Sequence, residues 1–313
     1  MAEEFNNNDG SDLRLMPARS TRPTSVKGNG RFRVNGFTSC LILAITLCLP
    51  LEVQAASLMI APTRVVFEGR TRTASVQLVN RGTKTTVFRI SFERKRMTET
   101  GAFEAVKKPL PGEKFADQMV RYAPRQITLP PGQSQTVRLM LRKPPNLADG
   151  EYRSHLLFRE VPSETGSSIE SQGNHNKSLG VRLIPVVGLS IPVIVRQGQT
   201  SASVTLDKFA IHYRTSAHKQ AQLEFEAHRS GNQSVFGDFT VFHKAPGKTG
   251  KLVVAAIKGV AIYTPNPVRK FRLNLTSPSG EPLDKCVLTV VYQAPSQDGG
   301  KVIATRDFNP SSN

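Results

Sequence analysis

The chain has no tryptophan, and only 3 cysteines and 6 histidines among its 313 residues. Each scarcity excludes something. Cys40 and Cys48 lie in an apolar N-terminal segment, and Cys286 stands alone in the remainder, so no internal disulfide can form once that segment is removed. Cys286 sits in an apolar, strand-like run, which predicts a buried structural thiol rather than a nucleophile. The histidines (His155, His175, His212, His218, His228 and His243) form no tight pair with a Cys, Asp or Glu at a known metal spacing, so no metal is expected. There is no G-x-S-x-G, no H-E-x-x-H, no P-loop and no glycine-rich dinucleotide loop. The expectation is therefore not an enzyme, with no cofactor and no small-molecule substrate.

Acidic residues are also short: 24 Asp and Glu stand against 42 Lys and Arg, for a formal charge of +18. A nucleic-acid partner would explain such a balance. The basic residues, however, are scattered along strand-like runs and turns, without zinc-finger spacing, a homeodomain-like helix or an RNP-like aromatic box. No nucleic acid is expected; a basic surface or a basic groove for anionic peptide groups accounts for the charge. Long hydrophobic runs are missing as well. Phe37–Leu51 falls short of the roughly 20 residues a membrane helix needs. With Lys27, Arg31 and Arg33 ahead of it and Val53-Gln54-Ala55 behind, it reads as a signal peptide cleaved before Ala56, preceded by a polar extension that is long for such a signal. Residues 1–55 are set apart on this basis, and an oxidising compartment is implied.

What is present is alternation. Thr73–Asn80 turns Ala74, Val76 and Leu78 one way and Thr73, Ser75 and Gln77 the other. Ser57–Phe67, Thr86–Arg96, Gln135–Leu141 and Glu151–Val161 also read as strands, separated by turns such as Asn80-Arg81-Gly82 and Pro130-Pro131-Gly132. Pro62 marks the first of these as an edge strand or one that switches sheets. Residues 97–118 read as a long loop, and Ser163–Ser178 as a mobile one. A second set of strands follows Gly198, from Ser203 to Tyr292. With no convincing helix, this predicts an all-β chain of two sandwiches, 56–198 and 199–295, with a disordered tail at 296–313.

One stretch stands out. Val181–Val195 carries ten Val, Leu or Ile residues and a single charge, Arg182. It reads as part of one long strand, and Pro185 and Pro192, lacking a backbone N–H, assign it to an edge. An apolar edge strand is a hazard unless something pairs with it. Arginines flank such apolar edges: Arg64 within Thr63-Arg64-Val65-Val66-Phe67, Arg89 between Phe88 and Ile90, and Arg196 at the end of the long strand. A guanidinium so placed usually meets a carboxylate.

Three stretches resemble the periplasmic pilus-assembly chaperones of chaperone–usher systems: Pro62–Phe67; Tyr122–Gly132 with Gln135-Thr136-Val137-Arg138; and Asp149–Arg153 through Phe158–Pro162. Gly188–Arg196 and Arg229–Ser234 are similar to the archaic, or alternative, branch. The resemblance implies two Ig-like domains in a boomerang arrangement, a periplasmic location, pilin subunits as partners and delivery to an outer-membrane usher. It implies that the long strand is lent to an incomplete pilin, with Leu183, Pro185, Val187 and Leu189 as the donor face. It implies an anchor for the subunit's C-terminal carboxylate at Arg64; Pro192 stands where the family has a lysine, which leaves Arg89 or Arg196 as the second cation, and Arg89 is kept for it because Arg196 matches the family's salt-bridge arginine. It further implies an interdomain salt bridge of Glu151 and Arg196 with an acid from the second domain; Asp284 is the candidate for that acid, though no motif fixes it. The alternative class is a structural pilin or adhesin with Ig-like domains; such a chain would carry an apolar donor extension ahead of its first strand, and none follows Ala56.

Overall fold

The computed structural model describes residues 58–162, 186, 188–214, 220–244, 250–277, 280, 282–284 and 286–310. These fall within one compact unit, Gln54–Asn313. The first half forms β1 (Leu58–Ala61), β2 (Val65–Phe67), β3 (Thr73–Asn80), β4 (Thr86–Glu93), β5 (Lys95–Met97), β6 (Phe103–Ala105), β7 (Val120–Ala123), β8 (Gln126–Leu129), β9 (Ser134–Leu141), β10 (Gly150–Val161) and β11 (Gly188–Gln197). The second half forms β12 (Ala202–Tyr213), β13 (Gln220–Gly231), β14 (Val235–Lys244), β15 (Leu252–Ile262), β16 (Val268–Thr276), β17 (Val287–Gln293) and β18 (Val302–Phe308). A 3-10 turn, Ser296–Asp298, links β17 to β18.

Alternation becomes layers. In the first sandwich, a sheet ordered β1-β3-β9-β7 faces one ordered β2-β11-β10-β4-β8. Val76 and Leu78 of β3 and Val137 and Leu139 of β9 meet Phe67, Leu156 and Phe158 from the opposite sheet in one buried core. The segment read as one N-terminal strand divides at Pro62: β1 pairs with β3 and β2 runs parallel to β11, so the chain changes sheets there. Asn80, fully buried, fixes the turn after β3. Its amide donates to the carbonyls of Lys84 and Leu129, both at 2.8 Å, and its oxygen accepts from Gly82 N–H at 2.9 Å. The region read as a long loop contains the β5–β6 hairpin.

The second sandwich pairs β12-β13-β16 with β15-β14-β17-β18. Its core is an aromatic stack: Phe239 lies 4.2 Å from Tyr292 between ring centroids, and Phe225 lies 5.1 Å from Phe271. Cys286 is buried here, its thiol pushed up to about 11 by burial and by Asp284, so it is an inert packing group. The disordered tail expected from residue 296 is not what forms. β18 pairs antiparallel with β17 and drops Ala304 and Phe308 into the core. The Pro295–Gly300 stretch that looked like the start of a tail is the hairpin turn between the two strands.

A small apolar cluster joins the sandwiches: Met97 and Ile194 from the first, Ala261 and Tyr263 from the second. The β5–β6 hairpin reaches across. Asn266 donates its amide to the Met97 carbonyl, Lys270 N–H donates to the Glu99 carbonyl at 2.7 Å, and the Lys270 and Glu99 side chains pair at 2.7 Å. Arg153, almost wholly buried, lies 4.0 Å over the Tyr263 ring and donates to the carbonyls of Thr264 and Lys95.

Candidate functional site: an open strand edge beside a cationic cleft

β11 is an edge strand for half its length. On one side β10 pairs with it from Gly188 to Gln197. On the other, β2 covers only Val193–Val195. Among the described residues, the outer edge from Gly188 to Pro192 has no strand beside it. Three of the four donor-face residues, Leu183, Pro185 and Val187, lie outside the described residues. The fourth, Leu189, is half-buried and already packs against the first sandwich's core, in line with Ile191, Val193 and Val195. Leu189 is therefore the point where this face turns into its own domain, rather than an open donor side chain.

Past the end of that edge lies a cleft of about 650 Å³, lined from the first sandwich by Arg64, Val66, Glu68 and Arg196 and from the second by residues including Ser234, Phe236, Asp298 and Lys301. Arg64 precedes β2, at the mouth of the parallel pairing. Its guanidinium lies 4.0 Å over the Phe236 ring, and its Nη2 donates to Asp298 Oδ2 at 3.2 Å. Arg196, at the end of β11, points into the same cleft and is saturated with partners. It donates to Glu68 Oε2 at 2.9 Å and to Glu151 Oε2 at 3.3 Å. With its oxygen turned toward the guanidinium, the Gln233 amide accepts from Arg196 Nη2 at 3.1 Å. Lys143 Nζ donates to the Arg196 carbonyl at 2.7 Å.

Glu151 has no exposed side-chain surface. Beyond Arg196 it accepts from the Ser234 hydroxyl and, at 3.1 Å, from the Ser234 N–H; the Ser234 oxygen in turn accepts from Thr264 N–H at 2.9 Å. Both oxygens of this buried carboxylate thus have a donor, which a buried charge requires. The loop carrying Ser234 is itself shaped by Arg229, whose guanidinium donates to the carbonyls of Asn266, Gly231 and Gln233 at 3.1, 2.8 and 3.0 Å.

Two expected residues are elsewhere. Arg89 is exposed on β4 and stands opposite Arg159. Three strand spacings and about four residues separate it from Arg64, on the order of 20 Å. It cannot share a carboxylate with Arg64: the alternation that buries Phe88 and Ile90 turns it out to solvent. Asp284 is not in the Glu151–Arg196 network. It precedes Cys286 and Val287, which pairs with Lys244, whereas Ser234 precedes the other end of β14, roughly 30 Å along the strand. Its influence falls on Tyr213 and Cys286 instead.

The residues missed from sequence are Ser234, Glu68, Asp298 and Lys301. Ser234 closes the Arg229–Ser234 stretch that had been singled out, but only the fold brings it to Glu151. A cluster was missed too: Asp207, Glu226 and His228 bring one ligand atom each within 4.8 Å of one another. Glu226-Ala227-His228 on a strand puts both ligands on one face, and Asp207 stands opposite Glu226. Lys208 Nζ, 2.9 Å from Glu226, already supplies a cation to this half-exposed group.

Residues 57–196 match the family described as pili and flagellar-assembly chaperone, PapD N-terminal domain. A search of curated proteins returns no match. Among solved structures, the chain is similar to the CsuC–CsuE chaperone–tip adhesion subunit pre-assembly complex of Acinetobacter baumannii, at 14% identity over 81% of this chain and 97% of that one, with a TM-score of 0.40. It is similar to the CupB2 chaperone of Pseudomonas aeruginosa, at 13% identity over 80% and 98% with a TM-score of 0.39. It is similar also to a Salmonella enterica SafA pilin–SafB chaperone complex, at 12% identity over 82% and 97% with a TM-score of 0.38. The family match covers the first sandwich, from β1 to Arg196 near the end of β11, and includes Arg64, Glu151 and Arg196; this sandwich is similar to the N-terminal domain of the pilus-assembly chaperones.

Proposed function

We propose that this protein is a periplasmic chaperone that holds pilin subunits by lending them a strand and hands them to an outer-membrane usher. The observation that carries the proposal is that, among the described residues, the β11 edge from Gly188 to Pro192 has no strand beside it; it follows an apolar run in the sequence and ends beside a cleft holding Arg64. A subunit lacking its last strand presents an open sheet edge and an apolar groove. Main-chain hydrogen bonds from the β11 edge satisfy the first, and Leu183, Pro185 and Val187 fill the second. Each aliphatic side chain fully buried contributes roughly 1.5–3 kcal/mol. Arg64 takes the subunit's chain-terminal carboxylate and sets the register of the added strand. The Glu151–Arg196–Ser234 network fixes one sandwich against the other and so holds the cleft's two walls together. No nucleotide enters; subunit folding and later strand exchange drive the cycle.

The test is co-expression, with a secretion signal, of the chain and its cognate pilin. A one-to-one complex recovered from the periplasm is the expected outcome, and Val187→Asp, which places a charge on the donor face, abolishes it without lowering the chaperone's own melting temperature. Recovery of the same complex from Val187→Asp would refute strand lending through this face.

A further inference from the structure

The cleft contains three cations, and their partners differ. Arg196 is committed to Glu68, Glu151 and Gln233. Arg64 is held by a single carboxylate, that of Asp298, and the pair is only partly covered: the side chains are 22% and 44% exposed. Lys301 lines the same cleft, and its ammonium has no hydrogen bond or ion pair among the described residues. Asp298 and Lys301 sit on one short connection between β17 and β18. That connection is closed by its own backbone: Asp298 N–H donates to the Pro295 carbonyl at 2.8 Å, and Ala294 N–H donates to the Lys301 carbonyl at 2.8 Å. Gly299 and Gly300 lie between the two charged residues at φ 90° and 62°, a left-handed turn that only glycine adopts without strain.

Among the described residues the first sandwich offers the cleft no second uncommitted cation: Pro192 occupies the place in β11, Arg196 is held by Glu68 and Glu151, and Arg89 faces away. We propose that the carboxylate seat is built across both sandwiches, with Arg64 and Lys301 as its two cations, and that Asp298 occupies this seat in the free protein. An aspartate side chain and a chain-terminal carboxylate are the same functional group, so the guanidinium that holds one is shaped to hold the other. A partly exposed ion pair is weak, so an incoming carboxylate displaces it at little cost. When Asp298 leaves, its charge no longer offsets Arg64, and Lys301 on the same connection remains as counter-charge to the ligand. Asp298 then acts as a placeholder that keeps a basic cleft from capturing stray anions. This inference rests on the reading of Arg64 as an anchor.

The experiment uses the whole mature chain and a fluorescein-labelled heptapeptide of alternating Val and Thr, prepared with a free C-terminal carboxylate and as its C-terminal amide, with binding read by anisotropy. Asp298→Asn is expected to tighten the free-acid peptide about three- to five-fold, the strength of a partly exposed ion pair. Lys301→Ala is expected to weaken it about tenfold, as for loss of a charge-assisted hydrogen bond. Neither variant changes binding of the amide. Unchanged or weaker binding by Asp298→Asn, or unchanged binding by Lys301→Ala, overturns the proposal while leaving the anchor intact if Arg64→Ala still loses affinity for the free acid alone. If Arg64→Ala binds acid and amide as the parent does, the anchor reading itself has failed. Melting temperatures of the variants within a degree of the parent exclude misfolding as the cause of any loss.

Discussion

His155 makes the junction between the sandwiches acid-sensitive. It is 3% exposed on β10, and neither ring nitrogen has a hydrogen-bond partner among the described residues. Phe103 packs edge-on at 5.0 Å and Tyr263 at 6.4 Å, while the charges of Arg153 and Lys95 lie nearby. Burial first, and those two cations second, push its pKa down to about 3. The folded value is thus below that of an unfolded histidine, near 6.5. Above pH 6.5 neither state binds the proton and stability is complete. Below 6.5 the unfolded chain takes up a proton that the folded chain refuses, and stability falls by about 1.4 kcal/mol per pH unit until roughly pH 3. Between pH 7.5 and 5 the loss is about 2 kcal/mol. Glu113 and Asp117 act in a lower window: Arg96 lowers the first, while for the second burial is outweighed by hydrogen bonds from Arg94 and Ser154, so both lose stability only as pH falls through the carboxylate range. The interval from 6.5 to 5 therefore separates His155 from these carboxylates, and the variant separates it from the other histidines. Urea denaturation at pH 7.5 and pH 5 measures the difference, alongside His155→Phe, which keeps a ring among rings. The variant should show a pH dependence reduced by the same 2 kcal/mol or so. An equal pH dependence in parent and variant, or the His155 imidazole, assigned by its loss in the variant, titrating near 6.5 by NMR, would refute the reasoning.

Two further outcomes follow from buried polar groups. Glu151→Ala leaves the Ser234 N–H unpaired in the interior and Arg196 short of a partner, and should cost about 3 kcal/mol, seen as a melting temperature lower by roughly 6–12 °C; Glu151→Gln, which keeps acceptors for both Ser234 and Arg196, should cost less than half of that. Asn80→Ala removes the acceptor of Gly82 and the donor to Lys84 and Leu129 in a fully buried turn, and should lower stability by about 2–3 kcal/mol in urea denaturation, whereas Asn232→Ala, in an exposed turn, should change it far less.

Much of the fold was legible because half-buried strands write their geometry into the sequence. Val76 and Leu78 face inward because they alternate with Ser75 and Gln77, and no other arrangement buries one set and wets the other. Pro62 was legible for a different reason: a residue without an N–H interrupts pairing, and the chain uses the interruption to change sheets. β18 was not legible. Only Ala304 and Phe308 of its residues are buried, with Arg306 and Asp307 between them, so its pattern is that of a polar segment. It is a strand because β17 offers it an edge, and that edge exists only after the sandwich has closed.

The site divides along the same line. Arg64 stood out as a charge among Val65, Val66 and Phe67, whereas Glu151 and Arg196 were paired only by the resemblance; the β10–β11 register then sets those two opposite each other. Arg89 satisfied the same criterion of a charge among apolar neighbours, yet faces solvent; a single residue in an alternating strand has two possible sides, and composition does not say which one meets the cleft. Asp284 failed for lack of distance information, since any acid of the second sandwich fitted the role until β14 placed Ser234 at one end and Asp284 at the other. The group that completes Glu151 is a hydroxyl and a backbone N–H, not a charge, and a search for opposite charges passes over both. The charge that meets Arg64 comes from a turn more than two hundred residues away in sequence. Charge pairing across a domain junction is thus set by which turns the two sandwiches bring to the junction, and here the turns bring one surplus cation, Lys301, to a cleft whose other positive charges are already answered.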